Sequence, residues 1–291
     1  MTDGIEFTQH YLSASRLHFI GTWKWRFERM KRSLRALKPR LTDVGPPYFF
    51  VHVDMDCFFV SVARLANKDL LGLPVAVCSS TDAQLRANSK AELSSVSYEA
   101  RKFGVRAGMW LNEAKKRCPK LVCVGFDFAG YTRASSQVYR ACFEWTHDVL
   151  AKSCDECYLR VSHTALRHSS LEIDDVVRQL RARIAELSGC QASAGVGESI
   201  LQARMATRLA KPNGQRRIAS HVPLGANVSV ERYTDVSFDE AAVLNTEQWH
   251  KLLLETTLRD VPGVGYKTRK RLQVALQSAK YCVCVCVCVC V

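Results

Sequence analysis

The sequence predicts an α+β fold in which helices flank a mixed β-sheet. Apolar runs of strand length alternate with longer amphipathic segments, and acidic residues stand at the ends of two of the apolar runs. The chain has 291 residues and a hydrophobic content of 47%, which is enough for a sizeable core. We therefore expect a folded protein of one large domain or two to three small ones.

The first predicted elements are a basic arm and a buried strand. Residues 1–46 are rich in basic and aromatic side chains, and within them residues 23–37 are predicted to be helical, because apolar residues recur at spacings of three and four. These apolar residues are Trp23, Phe27, Met30 and Leu34. After the Gly45-Pro46-Pro47 turn, residues 48–53 form a strand apolar enough to lie inside a sheet.

The remaining elements follow from the same periodicities. Further strands are predicted at residues 73–77, 121–124, 157–161 and 190–196. Further helices are predicted at residues 98–103, 110–117, 131–150, 172–187 and 199–209. Residues 218–257 carry no strong motif and are predicted to connect domains. A small helical unit is predicted at residues 258–280.

The charge and hydropathy of the chain indicate which classes of partner it can bind. The formal net charge of +13 favours a polyanion such as DNA or RNA, although a basic protein without such a partner has the same composition. No apolar run approaches the roughly 20 residues of a membrane span, so no membrane association is predicted. The polar N-terminal residues do not resemble a secretory signal.

The cysteines do not form a zinc-binding pattern. Five of the 13 lie in the Cys-Val repeat that follows Lys280, and only Cys154 and Cys157 form a C-x-x-C pair. Buried thiols in a reducing compartment are the better interpretation. A TG-dinucleotide repeat encodes alternating Cys and Val, so residues 281–291 are predicted to be an artefact of the gene model. The alternative is a genuine β-prone strand.

Two acidic stretches suggest a metal site. Asp54 and Asp56 end the first strand on one face, and Asp155 and Glu156 precede a later strand. Carboxylates brought together repel one another unless cations lie between them, and two divalent cations held by carboxylates are a common apparatus for phosphoryl transfer. Either stretch alone could equally be a solvated acidic loop.

Three further motifs suit phosphate groups. Ser95, Tyr98 and Arg101 are spaced three apart, which predicts one shared helix face with hydroxyl and guanidinium donors. Lys211 ends a helix before Pro212, and the glycines Gly263 and Gly265 form a turn like that of a helix-hairpin-helix motif, whose backbone amides bind a DNA phosphate. Ordinary helix ends and plain turns share these patterns.

Taken in order, the motifs resemble those of Y-family (UmuC-like) translesion DNA polymerases. They are VDMDCFF at residues 53–59, SYEARKFGVRAGM at 97–109, SCDE at 153–156, AKPNG at 210–214 and PGVG at 262–265. The arm, with HYLSASRLHFI at residues 10–20 and TWK at 22–24, is similar to the region before the palm in the eukaryotic deoxycytidyl transferase branch.

This resemblance implies a domain organisation. It implies a basic arm at residues 1–46, palm at 47–70 and 126–217, small fingers at 71–125, a connector at 218–257 and a partial helical thumb at 258–280. The family's little-finger domain and the partner-binding C-terminal tail of the branch are expected to be absent, and a nuclear location is expected.

The resemblance also implies roles for individual residues. Asp54, Asp155, Glu156 and the carbonyl of Met55 are expected to ligate two Mg²⁺ ions. Phe58 is expected to pack near the triphosphate and Phe59 to exclude ribonucleotides. The residues expected to bind the phosphates of the nucleotide are Ser95, Tyr98, Arg101 and Lys211.

For the branch, the resemblance implies that Arg16 pairs with the incoming dCTP and that Leu17 takes the place of the displaced template guanine. The implied activity is deoxycytidyl transfer from dCTP to the primer end of primer-template DNA. Ordinary template-directed synthesis and an inactive DNA-binding fragment are the alternatives.

Overall fold

The fold is known from a computed structural model, which describes residues 15–79, 91–219, 242–244, 246–255 and 267–271. Its helices are α1 (Arg16–Gly21), α2 (Trp23–Leu34), α3 (Phe58–Ala66), α4 (Tyr98–Arg101), α5 (Leu111–Arg117), α6 (Phe128–Phe143), α7 (His163–His168), α8 (Ile173–Ser188), α9 (Ile200–Ala210) and α10 (Thr246–Glu255). Its strands are β1 (Tyr48–Met55), β2 (Val75–Val77), β3 (Ser95–Val96), β4 (Val122–Val124), β5 (Val149–Ala151), β6 (Glu156–Ser162), β7 (Ala192–Gly197), β8 (Gln215–Ile218) and β9 (Ala242–Leu244).

The larger sheet has six strands in the order β5-β6-β1-β7-β8-β9. The central strand β1 runs antiparallel to both β6 and β7, whereas β7, β8 and β9 run parallel to one another. This arrangement confirms the predicted mixed sheet. It also brings the end of β1 beside the beginnings of β6 and β7, so three strand termini meet at one edge.

The two faces of β1 have different neighbours. Val51, Val53 and Met55 join the main hydrophobic core with the apolar side of α8. The alternate residue His52 contacts Thr207 of α9 on the opposite face. Helices therefore cover both faces of the sheet, and α9 lies on the face that carries Asp54.

Glycines in β7 allow α9 to approach the sheet closely. A Cβ atom on Gly195 would overlap the carbonyl oxygen of Ala203, and one on Gly197 would overlap the side chain of Gln202. The helix begins where the Ser199 hydroxyl accepts a hydrogen bond from the Gln202 backbone N–H. The close packing holds the C-terminal end of α9 beside the end of β1.

The basic arm packs onto the main core through its aromatic side chains. Phe19 stacks on Phe128 of α6 at a centroid distance of 5.0 Å, and Trp23 and Phe27 both contact Tyr139. The predicted helix of residues 23–37 ends at Leu34, and residues 35–37 continue as a turn. The short helix α1, capped by Ser15, was not predicted.

A second, smaller sheet supports α4 and α5. Its order is β3-β2-β4, and its apolar residues form a separate cluster that includes Leu93, Val105, Leu111 and Leu121. This unit lies within the region that the resemblance assigns to the fingers. Among the described residues, none of the helices combines the length and the apolar character needed to cross a bilayer.

One predicted element was wrong. The helix predicted at residues 131–150 ends at Phe143, and Val149–Ala151 instead pairs with β6 as strand β5. Strand pairing there takes the place of the helical hydrogen bonds that the pattern had predicted. The region at 218–257, for which no helix or strand was predicted, contains β9, which extends the main sheet, and α10, whose Trp249 joins a small core with Ile218. Strand β5 pairs with the next strand along the chain, whereas β9 and α10 contact residues more distant in sequence.

Candidate active site

Two of the predicted carboxylates are direct neighbours across the sheet. Asp54 near the end of β1 is the pairing partner of Glu156 at the start of β6. Directly opposed residues of an antiparallel pair project from the same face, with Cβ atoms about 4.5–5.5 Å apart. The site therefore begins with two carboxylates on the α9 face of the sheet.

Basic residues of α9 and its end neutralise both carboxylates. The ammonium of Lys211 forms an ion pair with Asp54. Glu156 accepts a hydrogen bond from Nε2 of His52 at 3.0 Å and lies 3.4 Å from the Arg204 guanidinium. The hydrogen bond from His52 and the charge of Arg204 hold the pKa of Glu156 below its usual range.

Asp155 lies just before β6, at the same edge. Its backbone carbonyl accepts a hydrogen bond from the Met55 N–H at 2.9 Å, which ties it to the end of β1. Its carboxylate accepts a hydrogen bond from the Ser153 hydroxyl. Burial raises the pKa of Asp155, and the neighbouring charges of Asp54 and Glu156 raise it further.

Helix α6 supports the loop that carries Asp155. The Ser135 hydroxyl donates to the Cys154 carbonyl at 2.5 Å, and the Tyr139 hydroxyl donates to the Ser153 carbonyl at 2.7 Å. Both hydroxyls lie on the buried side of α6. The position of Asp155 is therefore set by a helix as well as by the sheet.

The three carboxylates fit divalent cations, although Asp54 and Glu156 now pair with cationic side chains of the protein. In the described parts of the chain, no three His, Cys, Asp or Glu side chains are grouped as ready metal ligands. Three carboxylates at one edge nevertheless supply the oxygen ligands that Mg²⁺ prefers.

Asp56 is a buried carboxylate with three hydrogen-bond donors. It accepts bonds from the Tyr98 hydroxyl at 2.8 Å, the Ser193 hydroxyl at 2.9 Å and the Asn213 backbone N–H at 2.7 Å. It lies on the same side as Asp54, whose partner on β7 is Ser193. Asp56 thereby joins α4, β7 and the turn after Lys211.

Of the residues predicted for phosphate, Tyr98 bonds to this carboxylate, but Ser95, Tyr98 and Arg101 do not share one helix face. Tyr98 begins α4, whereas Ser95 belongs to β3, so the expected face of three helical residues was wrong. The helix starts only after Ser97, whose hydroxyl accepts a bond from the Ala100 N–H. Burial and Asp56 raise the pKa of the Tyr98 hydroxyl.

Arg101 ends α4 with its side chain directed back to the site. Its Nε donates to the Val96 carbonyl at 3.1 Å, and its guanidinium lies 3.5 Å from Sγ of Cys57 and over the Tyr98 ring. Cys57 adjoins Asp56, so Arg101 and Tyr98 converge on the turn that follows β1.

Phe58 and Phe59 begin α3, directly after that turn. Both are buried. Phe59 stacks on Tyr131 of α6 at 4.2 Å and meets Phe126 edge to face at 6.3 Å. These contacts give the Phe59 ring a defined position.

Arg16 and Leu17 begin α1 at the edge of the arm. The Arg16 guanidinium lies 3.9 Å from the Glu92 carboxylate, and its buried Nε has no hydrogen-bond partner among the described residues. Leu17 is 80% exposed. The glycines Gly263 and Gly265 lie outside the described residues.

Sequence reasoning missed His52 and Arg204. His52 precedes Asp54 by two, so strand alternation places both on one face. Arg204 lies within α9 and Lys211 follows its last residue, so one helix positions both cations. Both positions are visible in the sequence, but the carboxylate that His52 and Arg204 bind depends on how the strands pair, which the sequence did not show.

Comparison with known proteins agrees with this architecture. Residues 53–208 match the model of the impB/mucB/samB family (IMS). DNA repair protein REV1 of Arabidopsis thaliana is 40% identical over 220 residues, which cover 74% of this chain and 19% of that protein. DNA repair protein rev1 of Schizosaccharomyces pombe is 30% identical over 277 residues, covering 93% of this chain and 26% of the relative.

Bacterial relatives and solved structures extend the comparison. DNA polymerase IV 2 of Agrobacterium fabrum is 35% identical over 207 residues, covering 71% of this chain and 54% of that protein. The crystal structure of DinB from Sulfolobus solfataricus shares the fold with a TM-score of 0.57 at 21% identity, over 78% of this chain and 57% of the other. The insertion ternary complex of Dbh DNA polymerase matches equally well.

The chain thus spans about a fifth to a quarter of the length of the first two relatives. The matched family model covers more than half of the chain and includes all three carboxylates of the site. From the fold, the order of its motifs and these similarities, the chain belongs to the impB/mucB/samB family of UmuC-like, Y-family DNA polymerases.

Proposed function

We propose that this chain performs translesion DNA synthesis by transferring deoxycytidylate from dCTP to a primer 3′-hydroxyl, opposite template guanine and damaged or abasic positions. The observation that supports this proposal most is the edge where Asp54 and Glu156 pair, with Asp155 beside them, in a Y-family fold. The partner is primer-template DNA, consistent with the net charge of +13. A nuclear location is proposed together with this role.

The carboxylate edge is proposed to hold two Mg²⁺ ions. Asp54, Asp155 and Glu156 supply carboxylate oxygens, and the Met55 carbonyl supplies another. When bound, the ions provide charge neutralisation and Lewis-acid activation for phosphoryl transfer. The chain's part is to fix these oxygens on two paired strands, with Asp155 held by the hydrogen bond between its carbonyl and the Met55 N–H.

Cationic and hydroxyl side chains beside the edge are proposed to bind the triphosphate. Lys211 now pairs with Asp54 and can turn to a phosphate oxygen when another cation neutralises that carboxylate. Arg101 and Tyr98 lie on the adjoining turn, and Ser95 precedes them on β3. Phosphate oxygens suit this mixture of guanidinium, ammonium and hydroxyl donors.

The aromatic pair beside the turn is proposed to select the sugar. Phe59 is held by its stack on Tyr131 and cannot move away without losing that contact. A fixed ring next to the sugar leaves no room for a 2′-hydroxyl. Phe58 is buried beside Phe59 and is proposed to pack near the triphosphate.

Arg16 is proposed to replace the template base. A guanidinium presents two parallel N–H donors, which match the ring nitrogen and O2 acceptors of cytosine, whereas thymine carries a proton on that ring nitrogen. The nearby Glu92 carboxylate orients the guanidinium. Leu17 is exposed on the same turn and is proposed to occupy the space of the displaced guanine.

Primer extension with one nucleotide at a time tests the proposal. The chain should incorporate dCMP in preference to the other three, and Arg16→Ala should reduce that preference by about 5- to 150-fold, since one bidentate contact contributes about 1–3 kcal/mol. Arg178→Ala, which removes an equal charge from the exposed side of α8, serves as the control.

Three outcomes separate the alternatives. Preferred addition of any nucleotide other than dCMP contradicts the specificity. Retained dCMP preference in Arg16→Ala supports ordinary template pairing. DNA binding without Mg²⁺-dependent product identifies the chain as a binding fragment.

A further inference from the structure

A groove of about 500 Å³ runs between the arm helix α2 and the palm helix α6, outside the carboxylate site. Trp23, Trp25, Arg26 and Arg29 line one side of it, and Thr132 and Ser136 line the other. The groove therefore combines two indole rings and two guanidinium groups on one wall with hydroxyl groups on the facing wall. None of these six residues has a part in the mechanism above.

The two tryptophans differ in a way that suits a ligand. Trp25 is 65% exposed, although an indole is among the largest apolar surfaces that a side chain can offer. Trp23 is 5% exposed, yet its indole N–H has no hydrogen-bond partner among the described residues. One ring is thus available for stacking, and the other carries an unused buried donor.

The charge of the groove selects an anionic ligand. Helix α2 contains one acidic residue, Glu28, against five basic ones, namely Lys24, Arg26, Arg29, Lys31 and Arg32. Within the described residues, neither Arg26 nor Arg29 forms an ion pair with a carboxylate. Arg26 donates to the Thr132 hydroxyl at 3.3 Å, and Arg29 lies 5.9 Å from the Trp25 ring.

The groove and the Asp155 loop share one supporting helix. Thr132 and Ser136 line the groove from α6, and Ser135 and Tyr139 of the same helix bind that loop from the inner side.

We propose that the groove between α2 and α6 binds an unpaired stretch of DNA, with a base stacked on Trp25 and phosphates held by Arg26 and Arg29. This site deepens the proposed function and rests on it, since it supplies a place for the single-stranded part of a primer-template DNA. Stacking on an exposed aromatic ring together with a basic track is how proteins bind single strands without reading their sequence.

Binding of labelled oligo-thymidylate tests the site. We expect Trp25→Ala to weaken binding by about 5- to 150-fold, since stacking contributes about 1–3 kcal/mol per base. Trp25→Phe should restore much of the affinity because it retains a stacking ring. Arg29→Ala should reduce the dependence of log K on log salt by about 0.7, the value for one phosphate on a single strand.

Two further measurements make the result specific. Oligo-thymidylate should quench the tryptophan fluorescence of the unmodified chain, and Trp25→Phe should remove most of the quenching. Binding to a blunt DNA hairpin should change less than twofold in Trp25→Ala. The control Arg178→Ala should leave the affinity for both ligands unchanged.

Several results would overturn the proposal. Unchanged oligo-thymidylate affinity in Trp25→Ala, or an equal loss for the hairpin, excludes a single-strand site in the groove. Competition by an acidic peptide that binds more tightly than oligo-thymidylate identifies a protein-docking surface instead. If the chain incorporates nucleotides while Trp25→Ala binds normally, only the groove proposal fails. If the chain neither incorporates nucleotides nor binds DNA, the proposed function fails as well.

Discussion

Removing the Asp56 carboxylate should destabilise the fold substantially. Asp56→Ala leaves the fully buried Ser193 hydroxyl without its acceptor, and it also removes the acceptor of the part-buried Tyr98 hydroxyl and Asn213 N–H. The buried hydrogen bond from Ser193 to a charged carboxylate contributes about 1.5–3 kcal/mol, and loss of each of the two part-buried bonds costs about 1 kcal/mol. We therefore expect a loss of about 3–5 kcal/mol in the free energy of unfolding.

Urea denaturation followed by tryptophan fluorescence measures this loss. Asp56→Asn retains one acceptor oxygen and should lose about 1–2 kcal/mol. The exposed Asp175→Ala is a matched control that should change stability by less than about 0.5 kcal/mol. A double-mutant cycle of Asp56→Ala with Tyr98→Phe should show non-additivity of about 1 kcal/mol, because the two side chains share a bond.

The same variants separate a positioning role from a purely stabilising one. Because Asp56 anchors Tyr98 and the turn after Lys211, Asp56→Asn should raise the KM for the nucleotide more than it lowers kcat. A loss of stability below about 1 kcal/mol in Asp56→Ala, or strict additivity in the cycle, would refute the reasoning.

Three more predictions follow from other contacts. Phe59→Ala should increase ribonucleotide incorporation by at least about tenfold relative to deoxynucleotide, which competing primer extension measures, because about 1.4 kcal/mol of steric discrimination corresponds to that factor. Gly195→Ala should lower the melting temperature markedly because its Cβ overlaps the Ala203 carbonyl, whereas Gly21→Ala, with open space around it, should not. Asp155→Asn should abolish turnover yet raise the unfolding free energy at pH 7 without Mg²⁺, because burial and nearby carboxylates raise the pKa of this group and so disfavour its ionised form. Since a raised pKa penalises only the ionised form, that gain should disappear below the usual pKa range of aspartate, and a gain that persists there contradicts the assignment.

Local patterns predicted most of the fold. The buried first strand and the shared face of Asp54 and Asp56 were predicted correctly, since β1 lies inside the main sheet and both carboxylates bond to residues at or just after the end of α9. The stripe on α8 and the Ser199 start of α9 were also predicted correctly. These features depend on residues within a few positions of one another, so a linear sequence contains the information.

The predictions failed where pairing with another strand competes with local preference. Residues 144–150 continue a helical pattern, yet residues 149–151 pair with β6 because that strand offers them an edge. Strand β9 has only three residues and no motif, and it is stabilised by pairing with β8. Neither strand can be predicted from a short stretch of sequence that leaves out the strand with which it pairs.

The sequence by itself determined the types of group available to the site: three carboxylates, a lysine, an arginine and a tyrosine at recognisable motifs. Only the tertiary structure decided their pairings. Lys211 meets Asp54 although 157 residues separate them in the chain, and Asp56 binds Tyr98 rather than lying beside another carboxylate. Such contacts arise because antiparallel pairing of β1 with β6 and β7 brings three strand termini to one edge, and the close packing of α9 on Gly195 brings its end to the same place.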